Sequence, residues 1–253
     1  MAQESFFDPE MPDIISQWRY YLNCLQIRDG LSVLDVGCNQ GDTERLILQD
    51  YPRIGRLVAL DKDPRRVQAA RRCLQKHADG LGWEVVEGDA QNLPFADDTF
   101  DRIVCAETLE WVPDSVQAAA EMRRVLKPGG LALLQHSDFD TQVYTTPRLD
   151  LLRQFVHGFT DSGPDGVIGR KLMGIAQSVG FAEVASSVYV LINTEFAEPW
   201  YAAKVFAMMK DWLLRKELMA PEGIAALEIS IQETARDGSF FYSVNRNLCL
   251  CRK

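Results

Sequence analysis

The stretch Val33-Leu-Asp-Val-Gly-Cys-Asn-Gln-Gly41 decides how this 253-residue chain folds. It is a short apolar run that ends in an acidic residue and a glycine-containing turn, and a helix-like segment at 42–50 follows it directly. Glycines in such a turn can adopt positive φ angles and let the backbone approach a ligand closely. The stretch therefore predicts a strand, a loop and a helix, in which Gly37 and Gly41 either shape a ligand-binding loop or make a tight connection.

Two familiar nucleotide-binding loops do not fit this stretch. A dinucleotide-binding loop has the spacing G-x-G-x-x-G, but counting from Gly37 the second and third glycine positions hold Asn39 and Asp42. A phosphate-binding loop needs Gly-Lys-Ser or Gly-Lys-Thr after its glycines, and neither follows here. An NAD-dependent oxidoreductase is therefore disfavoured.

The same strand–loop–helix unit recurs along the chain. Strand-like runs at 31–36, 56–60, 83–87, 102–106 and 131–135 alternate with helix-like segments at 42–50, 64–78 and 113–126. A helix at 169–179, a strand near 181–191 and a terminal strand within 239–251 complete the pattern. Such alternation is typical of an α/β fold. We expect a Rossmann-like, seven-stranded, mainly parallel sheet with helices on both faces.

We expect residues 1–253 to form one domain, because a chain of this length suffices for a single buried core. Residues 1–30 are interpreted as a helical cap and residues 31–137 as the ligand-binding core. Two segments, 138–168 and 195–237, interrupt the strand–helix alternation. We interpret them as insertions that form a lid over the strand ends.

Composition narrows the classes of partner. The formal net charge of −9 disfavours nucleic acid and anionic membrane surfaces, because both are bound chiefly through Lys and Arg. The six cysteines show no CxxC pair and no Cys/His ligand spacing, so we predict no metal site. Residues 1–12 are acidic and lack the features of a signal peptide, which favours a cytoplasmic location.

Acidic residues recur at the ends of successive predicted strands. Asp35 ends the first, Asp61 the second, and Asp89 follows the third. A carboxylate at the second strand end is suited to accept two hydrogen bonds from a ribose, and Asp89 to accept one from an adenine amino group. Each aspartate alone would also serve as a turn or helix cap. Their joint occurrence at three strand ends favours ligand binding over capping.

Taken together, residues 31–135 resemble the class I S-adenosylmethionine-dependent methyltransferase superfamily, particularly small-molecule enzymes of the ubiquinone/menaquinone methyltransferase type. The resemblance rests on five motifs: Leu34-Asp-Val-Gly-Cys-Asn-Gln-Gly41, Leu60-Asp61, Gly88-Asp-Ala-Gln-Asn-Leu-Pro-Phe95, Phe100-Asp-Arg-Ile-Val-Cys-Ala106 and Leu126-Lys-Pro-Gly-Gly130. It implies S-adenosylmethionine as cofactor and S-adenosylhomocysteine as product. One departure stands out: Asn39 occupies the place of a middle glycine, and Asn tolerates left-handed geometry better than most residues.

The resemblance also implies a set of cofactor contacts. The first loop would wrap the methionine part, Asp61 and Lys62 would hold the ribose and adenine, and Glu107 would face the methyl group. An N-terminal helix would cover the cofactor, with Tyr20 or Tyr21 reaching its carboxylate. The full predicted set is Tyr20, Asp35, Gly37, Cys38, Asn39, Gly41, Asp61, Lys62, Asp89, Ala90 and Glu107.

The acceptor side is predicted at the ends of the fourth and fifth strands. His136, one of three histidines, would act there as a base beside Glu107, or would be a structural histidine. The acidic run 137–144 favours a cationic acceptor, unless its aspartates cap the next helix. The predicted acceptor contacts are Trp111, Asp138, Asp140 and Tyr144.

The sequence thus predicts a methyltransferase for a small-molecule acceptor, with amine N-methylation slightly preferred over O- or C-methylation. The alternative is a catalytically silent subunit that binds the cofactor and supports a partner enzyme. Aromatic and methionine side chains of the two insertions would line the lid or, if exposed, favour a homodimer.

Overall fold

A seven-stranded sheet forms the centre of the molecule. The computed structural model describes residues 11–77 and 82–253. The strands are β1 (Ser32–Val36), β2 (Arg56–Asp61), β3 (Trp83–Glu87), β4 (Phe100–Ala106), β5 (Leu126–Tyr144), β6 (Glu183–Asn193) and β7 (Tyr242–Arg252). They lie in the order β3-β2-β1-β4-β5-β7-β6, and β7 runs antiparallel to both of its neighbours. The predicted Rossmann-like, mainly parallel sheet is confirmed.

Eight helices surround the sheet in the described part of the chain. They are α1 (Pro12–Cys24), α2 (Asp42–Asp50), α3 (Pro64–His77), α4 (Ser115–Val125), α5 (Leu149–Ser162), α6 (Leu172–Ser178), α7 (Tyr201–Arg215) and α8 (Pro221–Arg236). Local sequence signals explain where several helices begin. Pro64 and Pro221 are the first residues of α3 and α8, and the Asp114 side chain caps α4 by accepting a hydrogen bond from the Gln117 backbone N–H. Two short 3₁₀ helices lie at Leu109–Trp111 and Ile168–Lys171.

The sheet separates two apolar cores. One face carries α1, α2, α3, α5, α7 and α8, while α4, α6 and the second 3₁₀ helix cover the other. Strand alternation distributes side chains between the cores: Leu131 and Leu133 of β5 face the first, and Ala132 and Leu134 face the second. Cys249 and Cys251 belong to the second core, in line with their interpretation as buried core residues.

The fifth strand is longer than the sequence predicts. It continues through residues 136–144, and its last part, Val143 and Tyr144, pairs with Ser243 and Tyr242 of β7 after an irregularity in the register. The stretch interpreted as the start of the first insertion is therefore strand, and α5 begins only at Leu149.

The predicted segments fall on the structure as follows. Residues 138–168 supply the end of β5 and α5, and residues 195–237 supply α7 and α8. The helical cap predicted over 1–30 corresponds to α1, while residues 1–10 lie outside the described residues. No helix formed by residues 11–77 and 82–253 is both long and apolar enough to span a bilayer.

Candidate cofactor and acceptor site

A cavity of about 480 Å³ opens where the carboxyl ends of β1, β2, β3 and β4 meet. Ligands of open α/β sheets bind at this edge, and the volume lies within the range of small-ligand sites. Trp18 of α1 forms part of its wall, and side chains of α5 and α7 line its other end. The cavity therefore connects the loop after β1 with α5 and α7, which follow β5 and β6 in the chain.

The loop after β1 takes the backbone shape that its glycines and Asn39 allow. Gly37 has φ of +90°, and a Cβ at this position would overlap the side chain of Thr108. Asn39 has φ of +50°, the left-handed geometry expected at the missing middle glycine. Its backbone N–H donates to Asp61 Oδ2 at 3.0 Å. The loop is thereby tied to the end of β2, and Gly37, Cys38 and Asn39 all line the cavity.

Asp61 ends β2 and is almost fully buried, yet it lines the cavity. Its two oxygens accept from the backbone N–H groups of Asn39 and Asp63, each at about 3 Å, and the Arg66 guanidinium lies 4.0 Å away. Each carboxylate oxygen has more than one lone pair, so both can accept a further hydrogen bond. This arrangement fits the predicted role toward a ribose diol.

Asp89 and Lys62 form an ion pair across the ends of β3 and β2. Their side chains lie 2.7 Å apart, and Asp89 also accepts from the backbone N–H of Gln91. These contacts hold the pKa of Asp89 below its ordinary value, with the Lys62 hydrogen bond as the largest cause. Both residues and Ala90 line the cavity. The charged pair therefore borders the region where the sequence predicts adenine.

Glu107 follows β4 with φ of +50° and is held by several donors. Its carboxylate accepts from Gln135 Nε2 at 3.0 Å, from the Ser137 backbone and hydroxyl, and from Arg246 Nη1 at 2.9 Å. Burial by itself raises the pKa of Glu107, but the charges of His136 and Arg246 outweigh it and lower the pKa. Glu107 is therefore a fixed, ionised carboxylate at the cavity wall, and its neutralised charge makes it a poor base.

His136 does not occupy the position of a base. It is fully buried and lies outside the cavity lining. Its Nδ1 lies 2.6 Å from the Ser137 carbonyl oxygen, and Nε2 lies 2.9 Å from Glu110 and 3.5 Å from Glu107. Burial lowers the pKa of His136, but the two glutamates more than offset this and raise it to about 9. Both nitrogens then carry protons, so the structure favours a structural imidazolium over the predicted base.

Glu107, Glu110 and His136 form one cluster in the described part of the chain, with one ligand-type atom from each within 4.8 Å of the others. These are residue types that hold divalent cations, and the sequence prediction of no metal site did not consider them together. A cation here would have to displace the His136 proton and would meet the Arg246 guanidinium on Glu107. The contacts present are those of a charge-balanced ion network.

The end of the cavity predicted to take the acceptor is mainly apolar and aromatic. Trp111 contributes a 56% exposed side chain from the 3₁₀ helix after β4, in the place predicted for it. The walls opposite come from β5, α5 and α7: Phe139, Phe159, Tyr201, Met208 and Trp212. Glu110 is the acidic group beside Trp111, and burial raises its pKa.

Three predicted acceptor contacts lie elsewhere. Asp138 is buried in a two-point ion pair with Arg170, at 2.7 and 2.8 Å, and Asp140 lies 2.8 Å from the same guanidinium. Neither aspartate caps α5, and neither lines the cavity. Tyr144 is fully buried among aromatic rings, 4.6 Å from the ring of Tyr242. Both aspartates thus pair with Arg170 outside the cavity lining, so the structure does not place them at the predicted acceptor side.

Two predicted cofactor contacts also lie outside the cavity lining. Tyr20 is 40% exposed on the outer side of α1, where its ring lies 5.2 Å from that of Tyr189. Gly41 has φ of +87° at the start of α2, and a Cβ there would approach the backbone of Ala70 at 3.1 Å. Its role is to let α2 pack against α3.

Sequence reasoning missed two buried charged residues, Arg246 and Glu44. Both have fully buried side chains. Arg246 alternates with Val244 and Leu248 on one face of β7, so the period of two already placed it on an apolar face. Glu44 lies on the buried side of α2 beside Asp35, and its position within a short helix gave no comparable signal.

The fold and the cavity define a class: an α/β protein with a glycine-containing loop and acidic residues at successive strand ends around one cavity. Residues 34–134 match the family model described as a methyltransferase domain. The match assigns residues 34–134 to a methyltransferase domain, and this domain is of the class I, S-adenosylmethionine-dependent type.

Particular relatives agree with this class. A 37.1 kDa protein in transposon TN4556 of Streptomyces fradiae is 36% identical over 191 residues, which are 75% of this chain and 54% of that protein. A demethylmenaquinone methyltransferase of Listeria welshimeri is 34% identical over 115 residues, 45% of this chain and 48% of the relative. The YcgJ protein of Bacillus subtilis shares the fold, with a TM-score of 0.62, 19% identity, and coverage of 94% and 98%. The chain spans about half the length of these two curated relatives.

Proposed function

We propose that this chain transfers a methyl group from S-adenosylmethionine to a small, ring-containing acceptor. The observation that carries the proposal is the continuous cavity that joins the loop and acidic strand ends to an aromatic end walled by α5 and α7. A donor site and an acceptor site in one cavity are what direct methyl transfer requires, because the two reactants must be aligned. The proposal treats residues 1–253 as a single domain.

Different residues at the cofactor end would contact different parts of S-adenosylmethionine. When bound, S-adenosylmethionine supplies a methyl group that its sulfonium makes reactive toward a nucleophile, and S-adenosylhomocysteine is the product. Asp61 would accept hydrogen bonds from the ribose hydroxyls, and Asp89 and Ala90 would border the adenine edge. The backbone of Gly37 and Asn39 permits close approach of the methionine part.

The residues at the acceptor end orient the acceptor and exclude water. Trp111, Phe159 and Trp212 present aromatic faces on which a ring can stack. Glu107 is held by Arg246 at the cavity wall and would present a fixed oxygen toward the methyl donor. Side chains of α5 and α7 line this end, where the predicted lid would limit the access of water.

The chemistry of the acceptor end favours an uncharged, apolar ring system. The preference for an amine rested on Asp138 and Asp140, but both pair with Arg170 and lie outside the cavity lining. His136 and Arg246 likewise balance Glu107 and Glu110. The similarity to a demethylmenaquinone methyltransferase supports testing quinol-like acceptors first. Nucleic acid and membrane surfaces remain disfavoured by the net charge of −9, and a homodimer stays a prediction.

A transfer assay with labelled methyl donor tests the proposal. Purified protein is incubated with methyl-labelled S-adenosylmethionine and a panel of phenols, quinols and aromatic amines, with Asp61→Ala as the matched loss-of-binding control. We expect label to enter ring-bearing acceptors with the wild type and not with Asp61→Ala.

The alternative, a silent cofactor-binding subunit, predicts a different outcome. It would bind S-adenosylmethionine normally and transfer no label to any acceptor in the panel. A silent subunit is expected to lack an acceptor pocket, whereas the cavity of this protein has an aromatic end that could hold an acceptor. If the protein binds S-adenosylmethionine but transfers label to no acceptor in the panel, the silent subunit is favoured over the enzyme.

A further inference from the structure

A pair of buried carboxyl groups lies behind the cofactor loop. Asp35, in β1, is 3% exposed and lines the cavity, and Glu44, in the first turn of α2, is completely buried. The two carboxyl groups are within hydrogen-bonding reach of each other. Apart from Asp35 and the Glu44 backbone N–H, no group within residues 11–77 and 82–253 is a hydrogen-bond partner of the Glu44 carboxyl group. Glu44 is therefore a buried acid whose neighbour is another acid.

The surroundings of the pair contain further acids and thiols. Besides burial, the charge of Asp61, at the end of β2, raises the pKa of Asp35 in β1. The charge of Asp42, at the start of α2, likewise raises the pKa of Glu44. The thiols of Cys38 and Cys105 also face this group, and burial together with the nearby carboxylates raises the pKa of both. Two adjacent buried carboxylates cannot both ionise without a nearby cation, so they must share a proton.

The titration of the pair agrees with this geometry. Burial raises the pKa of Asp35 to about 7, and burial together with the charge of Asp35 raises that of Glu44 well above its ordinary value. The pair therefore retains a proton near neutral pH. Asp35 is the member that reaches the cavity, beside the loop residues Gly37 and Cys38.

We propose that Asp35 and Glu44 couple cofactor binding to proton release: the ammonium group of the cofactor's methionine part takes the place of the proton shared by the pair. The proton leaves to solvent, the pair becomes more negative by one charge, and the bound ammonium balances it. No other bond changes. This inference rests on the proposed function, because it concerns the same cofactor site.

Titration calorimetry in buffers of different ionisation enthalpy measures the protons released on binding. We expect the wild type to release about one proton on binding S-adenosylhomocysteine at pH 7. It should release none with 5′-methylthioadenosine, which lacks the amino acid part. The affinity for S-adenosylhomocysteine should rise with pH from 6 to 7.5, by up to about tenfold per pH unit.

Glu44→Gln tests the role of the second acid. The amide can donate a hydrogen bond to Asp35, so Asp35 ionises without a shared proton and release falls well below the wild-type value. Glu222→Gln, at an exposed position in the first turn of α8, is the matched control and should behave as the wild type. Undiminished release by Glu44→Gln would overturn the proposal.

The comparison of the two ligands on wild-type protein keeps the test decisive even if Glu44→Gln fails to fold. Equal proton release with both ligands, or none with S-adenosylhomocysteine, would contradict the coupling. Failure of S-adenosylhomocysteine to bind would overturn the proposed function as well. Normal binding without proton release would overturn this inference alone.

Discussion

Four buried or nearly buried charges stand at the centre of the site. Glu107 and Glu110 are negative, and His136 and Arg246 are positive, with close contacts of 2.9 Å in both the Glu110–His136 and the Glu107–Arg246 pair. Such a network contributes little net stability when complete, but removing one member leaves an uncompensated buried charge. The main effect of the network is to hold the Glu107 carboxylate in a fixed position at the wall of the cavity.

His136→Gln is expected to lower the free energy of unfolding at pH 7 by about 3 kcal/mol. The reason is that Glu107 and Glu110 would lose their shared cation. Since the pKa of His136 is raised from its ordinary 6.5 to about 9, its stabilising contribution is complete below pH 6.5 and is lost as the pH rises through 9. Urea unfolding at pH 6 and pH 9.5 measures both effects.

His157→Gln is the control for that experiment. The side chain of His157 is largely exposed, and its contact with Asp140 is 3.5 Å long. We expect its free energy of unfolding to stay within about 0.5 kcal/mol of the wild type. Identical urea midpoints for His136→Gln and His157→Gln would contradict the buried imidazolium.

Individual site residues differ in how far the sequence could predict them. Asp61 and Asp89 were predictable, because parallel strands bring their carboxyl ends to one edge of the sheet. The partner of Asp138 was not, since Arg170 lies 32 residues further on in a short helix whose position depends on tertiary packing. Because the sequence does not show the pairing with Arg170, the acidic run 137–144 was interpreted as part of an acceptor site. Arg246 was visible in the alternation of β7, but its ion pair with Glu107 was not.

At the scale of elements, local patterns predicted β1, α2 and β2 closely, because a short apolar run and a glycine turn suffice to specify them. The end of β5 escaped prediction because its last residues are held by pairing with β7, almost 100 residues away. A pairing of that kind leaves no local signal in a stretch such as 138–144. We propose that cofactor binding depends most on the loop between β1 and α2, because Gly37, Cys38 and Asn39 line the cavity.

Gly37→Ala is expected to abolish detectable binding of S-adenosylmethionine. The new Cβ would overlap Thr108, in addition to the cost of a positive φ. Gly129→Ala is the matched control, because Gly129 has φ of +75° but a Cβ added there would meet no atom within 4 Å. That variant should lose only about 1–2 kcal/mol of stability and bind normally. Normal binding by Gly37→Ala would contradict the placement of the loop.

Trp212→Ala probes the acceptor end that α7 provides. We expect KM for the acceptor to rise by about tenfold or more, since loss of an aromatic wall is worth roughly 1–2 kcal/mol. The affinity for S-adenosylmethionine should not change, because Trp212 lies at the other end of the cavity from Asp61. Trp200→Ala, just before α7 and outside the cavity lining, is the control. An effect of Trp212→Ala on cofactor affinity alone would contradict this division.

At the scale of the whole molecule, the site is assembled from distant parts of the chain. Trp18 of α1, the loops after β1 to β4, and α7 all reach one cavity. The fold supplies the edge of the sheet at which they meet, whereas the chemistry depends on the side chains placed there. Asp61 connects the fold to the site, because it ends β2, accepts a hydrogen bond from the loop residue Asn39 and lines the cavity.

Titration calorimetry of S-adenosylmethionine against the wild type, Asp61→Ala and Glu222→Gln tests the central claim most directly. We predict one bound molecule per chain for the wild type and for Glu222→Gln. Asp61→Ala should bind at least about tenfold more weakly, because hydrogen bonds to a charged group contribute roughly 1.5–3 kcal/mol each. No binding by the wild type, or an unchanged affinity in Asp61→Ala, would contradict the account.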